Sequence, residues 1–169
     1  MLKPADLYVL VALLALPRGA DWTQAAFAAQ IGLAQPALTR SLQRLANADL
    51  WNRTERRVDI AGAEGLLVHA ARFLIPPRLG QPTRGLPTAH SAPPLASMIL
   101  ANSATVWPDE EGGHMGTALA PLHPSAPRAA RANPRLHELL ALVDALRVGR
   151  ARERTLAARL LHDRLVETS

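Results

Sequence analysis

The chain has 169 residues, enough for one domain of ordinary size or a small domain with an appendage, and 49% of them are hydrophobic, enough to fill a core. There is no cysteine, which excludes disulfides, thiolate metal sites and a cysteine nucleophile and is compatible with the cytoplasm. Only 4% of residues are aromatic, so the core is built from Leu, Ala and Val, which favours helices; the net charge of +5, carried almost wholly by Arg, suits an anionic partner and especially phosphates.

Lys3 followed by the apolar run from Leu7 to Leu16 looks superficially like a signal peptide. Asp6 sits in its flank, however, and Pro17 and Arg18 stand where a cleavage site of small residues would follow. The run is also too short to span a bilayer. It reads as a first helix, apolar almost all round because it is covered on more than one side, and ended by Pro17. After a short connection, Asp21 with Gln24 three residues on reads as a capping box for a second helix.

The segment from Asp21 to Trp51 then has the pattern of two helices joined by a sharp turn. Phe27, Ala28 and Ile31 share one face of the first, and Leu38, Leu42 and Leu45 repeat at i, i+4, i+7 on the second. Ala28 is small enough for a close crossing, Gly32 can take a left-handed backbone, and Leu33 plugs the corner. With those leucines inward, Pro36, Arg40, Gln43 and Asn47 point outward, Thr39 and Arg44 lie on the flanks, and Gln35 is at the exposed start. That face carries two arginines and no carboxylate, and Gln, Thr and Arg are suited to base edges in a major groove. A solvated face is the alternative reading. Ala34 stands where a side-chain cap is usual, and Pro36 partly compensates by fixing its backbone angle in advance.

The spacing of Ala28, Gly32 and Leu38 resembles that of the DNA-binding segment of bacterial winged-helix repressors of the MarR-like kind. The resemblance implies base readout by Gln35, Pro36, Thr39, Arg40 and Gln43, phosphate contacts from Thr23 and Arg44, and double-stranded DNA as partner. It also implies a homodimer assembled through terminal helices, with part of the first helix facing a second subunit. Two strands and a basic loop should come next. The segment in that place, WNRTERRVDI, is short for a wing and reads as a truncated wing or a plain loop, whose Arg53, Arg56 and Arg57 are candidates for phosphate contact or for simple solvation.

Asp59 can cap a helix AGAEGLLVHAARFLI that Pro76 and Pro77 stop, with Leu66, Leu67, Ala70, Phe73 and Leu74 as its apolar face and His69 beside it as a core or boundary residue. Residues 76–133 hold most of the prolines and lose periodicity. Their apolar residues Leu86, Leu95, Met98, Ile99 and Leu100 argue for a segment that wraps over the helices, and SATVWP and HMGTALAPL are expected to pair as a small hairpin with Trp107 buried. The RG-PTA-APPL phrase here resembles one found after a helix-turn-helix in a set of bacterial proteins, and it brings no function with it.

The C-terminal part, residues 134–169, is helical, with Leu136, Leu139, Leu140, Val143 and Leu146 as one stripe, Leu156, Leu160, Leu161 and Leu165 as another, and Gly149 between them. Arg147, Arg150, Arg152 and Arg154 form either a solvated face or a surface for an acidic partner or nucleic acid. His90 with Arg84 and Thr88 is the one polar cluster that suggests a ligand, with surrounding prolines that explain it as well without one. No phosphate-cradling loop, metalloprotease motif, nucleophile elbow or paired metal-ligand motif is present, so neither catalysis, a metal nor a cofactor is expected.

The sequence thus predicts a mainly α protein: a helix-turn-helix, winged-helix-like domain with a short or degenerate wing over 1–75, a Pro-rich segment with a small β-hairpin over 76–133, and C-terminal helices for dimerisation or partner binding over 134–169. The function expected is sequence-specific regulation of transcription, as a cytoplasmic homodimeric repressor with no membrane association. The alternative is an antitoxin whose C-terminal helices bind a toxin while the N-terminal domain represses the operon, and a third is a ligand-gated regulator with its site between the 76–133 segment and the helices.

Overall fold

In the computed structural model, which describes residues 1–167, two helices that are buried on nearly all sides form the axis of the core. One is α1 (Pro4–Ala15), buried at every position from Asp6 to Ala15; the other is α7 (Pro134–Val148), buried throughout 139–147. They pack on each other, α1 also on α3 (Gln35–Asn47), and α7 also on α6 (Ala126–Ala132) and α8 (Ala151–Val166). Each fully buried Leu on such a helix contributes about 1.5–3 kcal/mol, which explains why helices without a polar face are kept inside. The covering of α1 therefore comes from this chain itself. A single hydrophobic core takes in Leu7 and Leu10, Leu38 and Leu45, Trp107 and Leu122, and Leu140 and Leu161, so the three stretches distinguished by composition share one core.

Between α1 and α3 lies α2 (Gln24–Ile31), and after α3 the strands β1 (Trp51–Asn52) and β2 (Arg57–Val58) pair antiparallel as a minimal hairpin. Its turn is held by Asn52 Oδ1, which accepts the N–H groups of Thr54 and Glu55 at 3.0 and 2.9 Å. The cap of α2 differs from the expected Asp21–Gln24 box. Thr23 is the cap, and its Oγ1 accepts the Ala26 N–H at 3.1 Å. For α3 the cap position is Ala34 with no side-chain acceptor, as its sequence requires.

The helix after Asp59 departs from ideal geometry. α4 (Ile60–Gly65) passes through one wider π turn (Leu66–Ala70) into α5 (Ala71–Leu74). The extra residue in that turn rotates the last helical turn, so Leu67, Ala71 and Ile75 are buried while Phe73 and Leu74, expected on the apolar face, are 67% and 53% exposed. His69 is exposed as well.

The proline-rich segment is more regular than its composition suggests. β3 (Leu79–Pro87) pairs antiparallel with β4 (Thr105–Pro108) and with β5 (His114–Leu119), and β4 and β5 pair in parallel, closing three strands on themselves. The expected hairpin of β4 with β5 does not form, because β3 is the antiparallel partner of both; Trp107 is buried as expected. So small a closure demands close backbone approach. A Cβ at Gly116 would lie 2.7 Å from the Ala104 carbonyl oxygen, and one at Gly85 would run into the Trp107 carbonyl.

This sheet is anchored to α7 through one buried carboxylate. Asp144 accepts from the Thr88 hydroxyl and Trp107 Nε1 at 2.7 Å each and from Arg147 at 2.9 Å, while Arg147 Nε also donates to the Ile75 carbonyl at 2.9 Å. Burial pushes the Asp144 carboxyl above its ordinary value, against the opposing pull of Arg147, Thr88 and Trp107. Arg147 is 6% exposed, which removes it from the arginine surface read from the sequence: its guanidinium is satisfied inside by the carbonyls of Ile75 and Pro76 and by the Asp144 carboxylate, and one facing solvent at that position would leave Asp144 unpaired. Of its former companions, Arg150 and Arg152 are exposed, and Arg154 donates to the Gly149 carbonyl at 2.6 Å. Among the described residues no helix is long and apolar enough to cross a membrane.

Candidate nucleic-acid interface

The inner face of α3 is fixed by Leu38, Ser41, Leu42 and Leu45, all buried. The residues left outside are Gln35, Pro36, Thr39, Arg40, Gln43 and Asn47, and each is exposed. No residue of α3 carries a carboxylate, and Arg40 makes no hydrogen bond or ion pair to the other described residues.

Three contacts hold α3 in place. The first is Asp6, buried on α1, which accepts from the Ser41 hydroxyl at 2.6 Å, from Arg44 Nε and Nη2 at 2.8 Å each, and from the Lys3 N–H at 2.8 Å. Burial alone would raise the Asp6 pKa; the hydrogen bonds from Arg44, Ser41 and Lys3 outweigh it and hold the carboxyl below its ordinary value. Arg44 is raised by the same hydrogen bond to Asp6. Its fork therefore faces the core of the protein, and the phosphate contact read for Arg44 from the sequence gives way to this ion pair. The second contact is at the turn, where Gly32 has φ +73 and its carbonyl accepts the Ser125 hydroxyl at 3.0 Å. Behind it, Tyr8 donates to the Ile31 carbonyl at 2.8 Å and stacks on His123, whose pKa burial lowers. The third runs across the outer surface: Thr39 Oγ1 lies 2.8 Å from Gln24 Oε1.

The hairpin is held against the start of α2 by Arg56. Its guanidinium sits 4.3 Å above the Trp22 ring and donates to the Trp22 carbonyl at 2.8 Å, while Trp22 itself packs against Phe27 and Trp51 with ring centroids 4.9 and 6.0 Å away. Arg57 is ion-paired with Glu55 in the same turn, and Arg53 is exposed with no partner among the described residues.

These elements border a groove of about 660 Å³ lined by Asp21, Thr23, Gln24, Thr39, Gln43, Arg53 and Arg56 together with Trp22, Leu42 and Trp51. Of the residues expected to face DNA, Thr23, Thr39, Gln43, Arg53 and Arg56 thus meet around one depression, while Gln35, Pro36 and Arg40 continue along the exposed face of α3. Arg57 instead borders an adjoining cleft of about 980 Å³ between the hairpin and the end of α1, which shares Trp22, Trp51 and Arg56 with the groove. Sequence reasoning missed Gln24, Trp22 and Asp6. For Asp6 the signal was available, since a lone carboxylate at the start of an apolar helix needs a cationic partner. Among the described residues no group of His, Asp or Glu is arranged to hold a metal ion. Comparison of the chain with known protein families, with curated proteins and with solved structures finds no match.

Proposed function

We propose that the chain is a sequence-specific DNA-binding regulator of transcription, a repressor of the helix-turn-helix kind that inserts α3 into the major groove. The observation that supports it most is the outer face of α3. Five side chains able to reach base edges or phosphates stand exposed on a helix without a carboxylate, beside a hairpin that presents Arg53. The order α2, left-handed Gly32, α3 and a short antiparallel hairpin supports reading these elements as a helix-turn-helix with a minimal wing. Arg53 and Arg56 are suited to the phosphates flanking the groove, and Thr23 lies at the N-terminal end of α2, where backbone N–H groups favour an anion.

One helix reads too few base pairs to select a site among the competing sites of a genome, so the reading includes a homodimer on an inverted repeat, with half-sites about 34 Å apart. The test is fluorescence anisotropy on DNA upstream of the coding sequence and on a scrambled duplex, across a salt series. Preference for the former on the order of 10³-fold is expected. Equal and steeply salt-dependent binding to both duplexes would reduce the interaction to phosphate attraction and overturn the reading.

A further inference from the structure

Thr39 projects from the middle of α3 into the groove shared with Gln24 and Gln43. Its hydroxyl oxygen is 2.8 Å from Gln24 Oε1 and 3.1 Å from the backbone carbonyl of Gln35. Both neighbours are acceptors, and a hydroxyl has one proton to give. Whichever of the two receives it, the proton is directed back into the protein and the oxygen presents only lone pairs outward.

From this geometry we infer that Thr39 reads DNA as a hydrogen-bond acceptor, with Gln24, the nearer of its two proton acceptors, as the residue that does most to fix its polarity. The inference rests on the proposal that α3 enters the major groove. In that groove the amino groups of adenine (N6) and cytosine (N4) are the donors, whereas guanine O6 and N7 and thymine O4 are acceptors. An acceptor-only Thr39 selects adenine or cytosine at the base it faces and rejects guanine and thymine, against which two sets of lone pairs would meet. A threonine with a free hydroxyl would discriminate far less, because it can turn to donate or accept. Gln24 is therefore a positioning residue for specificity, one that touches no base itself. Its backbone lies on α2 and only its side chain reaches Thr39, which is why the spacing of α3 gave no sign of it.

The test is selection of bound duplexes from a pool of random sequence by the full-length protein and three variants. Thr39→Val keeps the shape of the side chain and removes the oxygen; Gln24→Ala removes the nearer acceptor; Gln24→Glu keeps an acceptor at the same reach. The wild type is expected to enrich adenine or cytosine at a position where Thr39→Val loses its preference. Gln24→Ala leaves only the longer bond to the Gln35 carbonyl, so the exclusion of guanine and thymine should weaken at that position alone, and Gln24→Glu should restore the selectivity at a lower overall affinity. Replacing the selected base by its analogue without the amino group should weaken wild-type binding about three- to tenfold and leave Thr39→Val unaffected.

Guanine or thymine at the Thr39-dependent position overturns the inference, and unchanged selectivity in Gln24→Ala overturns the role given to Gln24 by leaving the Gln35 carbonyl to hold the proton alone. So does a preference that Arg40→Ala abolishes and Thr39→Val leaves intact, and in that case α3 still reads DNA. If the wild type enriches no sequence at all, the proposed function itself fails, and this inference fails with it.

Discussion

Arg44 and Asp6 lie thirty-eight residues apart in the chain, yet two nitrogens of the guanidinium meet the two carboxylate oxygens at 2.8 Å each. This forked pair ties α1 to α3. Arg44→Ala leaves a fully buried carboxylate without its cation, and the expected loss is about 3 kcal/mol, the lower end of the range for a broken buried pair. The lower end applies because the Arg44 side chain retains 27% exposure and water can reach the site. Lysine places one point charge where two parallel bonds stood and recovers only part of the loss. Denaturant unfolding of the three proteins checks this. The salt dependence of the proposed DNA binding should be unaltered in Arg44→Ala at temperatures where it is folded, whereas Arg53→Ala should lower that slope by about 1.

The same pair sets an acid limit. The Asp6 carboxyl is held below its ordinary value of 3.8, so the folded state binds its proton less readily than the unfolded state does. The stability this confers is complete above the unfolded value and is lost as pH falls through the lower, folded one. Stability measured by denaturant should therefore fall with decreasing pH below about 4. In Asp6→Asn the fall over that window should be shallower, from a lower plateau at neutral pH. An unchanged acid limb in this variant would assign the acid sensitivity to other carboxylates.

How much of this was legible in the sequence depends on the range over which each signal acts. The leucine spacing of α3 and its outward face were legible, because i, i+4, i+7 repetition is local and its burial needs only a core somewhere nearby. The apolar faces of α1 and α7 were legible for the same reason. The π turn at 66–70 was not, since a single inserted residue changes which side of the helix is buried without changing the composition. The three-stranded closure was hidden by its prolines, whose effect on strand pairing depends on which edge they face, and by glycines whose meaning appears only when another backbone lies against them. Arg44 and Arg147 look from the sequence like any surface arginine on a helix. Their acidic partners decide their fate: Asp6 lies far away in the chain, and Asp144, one turn back, reads as a solvated i, i+3 neighbour until both are seen to be inside.

Arg56 has two roles open to it, and substitution separates them. Its guanidinium covers Trp22 and binds the Trp22 carbonyl, which ties the 53–56 turn to the start of α2. Arg56→Ala should release the hairpin at a cost of about 0.5–1 kcal/mol, the scale of an exposed cation–π contact. Faster amide hydrogen exchange confined to 51–58, with changed Trp fluorescence, is the expected signature. Arg53→Ala should leave that exchange as it is and weaken binding to all duplexes alike. Equal exchange in Arg56→Ala and the wild type would show that the hairpin is held by Trp51 and Val58 alone.

The turn between α2 and α3 offers the sharpest test of how the later part of the chain supports the earlier. Gly32 combines a left-handed backbone with direct contact to Ser125: a Cβ added there would lie 2.6 Å from both the Cβ and the Oγ of that serine. Gly32→Ala therefore carries two separable costs. The left-handed conformation costs a non-glycine residue about 1–2 kcal/mol, and forcing an extra carbon into an occupied space adds about 1–3 kcal/mol. Ser125→Gly in the same protein removes both clashing atoms and should return the second cost while leaving the first. The double variant should thus be more stable than Gly32→Ala alone, an inversion of the usual effect of adding a second mutation. Ser125→Gly by itself should be mildly destabilising, because the Gly32 carbonyl loses the hydroxyl that now donates to it at 3.0 Å. Additive losses across this cycle would mean that the segment before α6 does not rest on the turn, and the four stabilities from denaturant unfolding decide between the two outcomes.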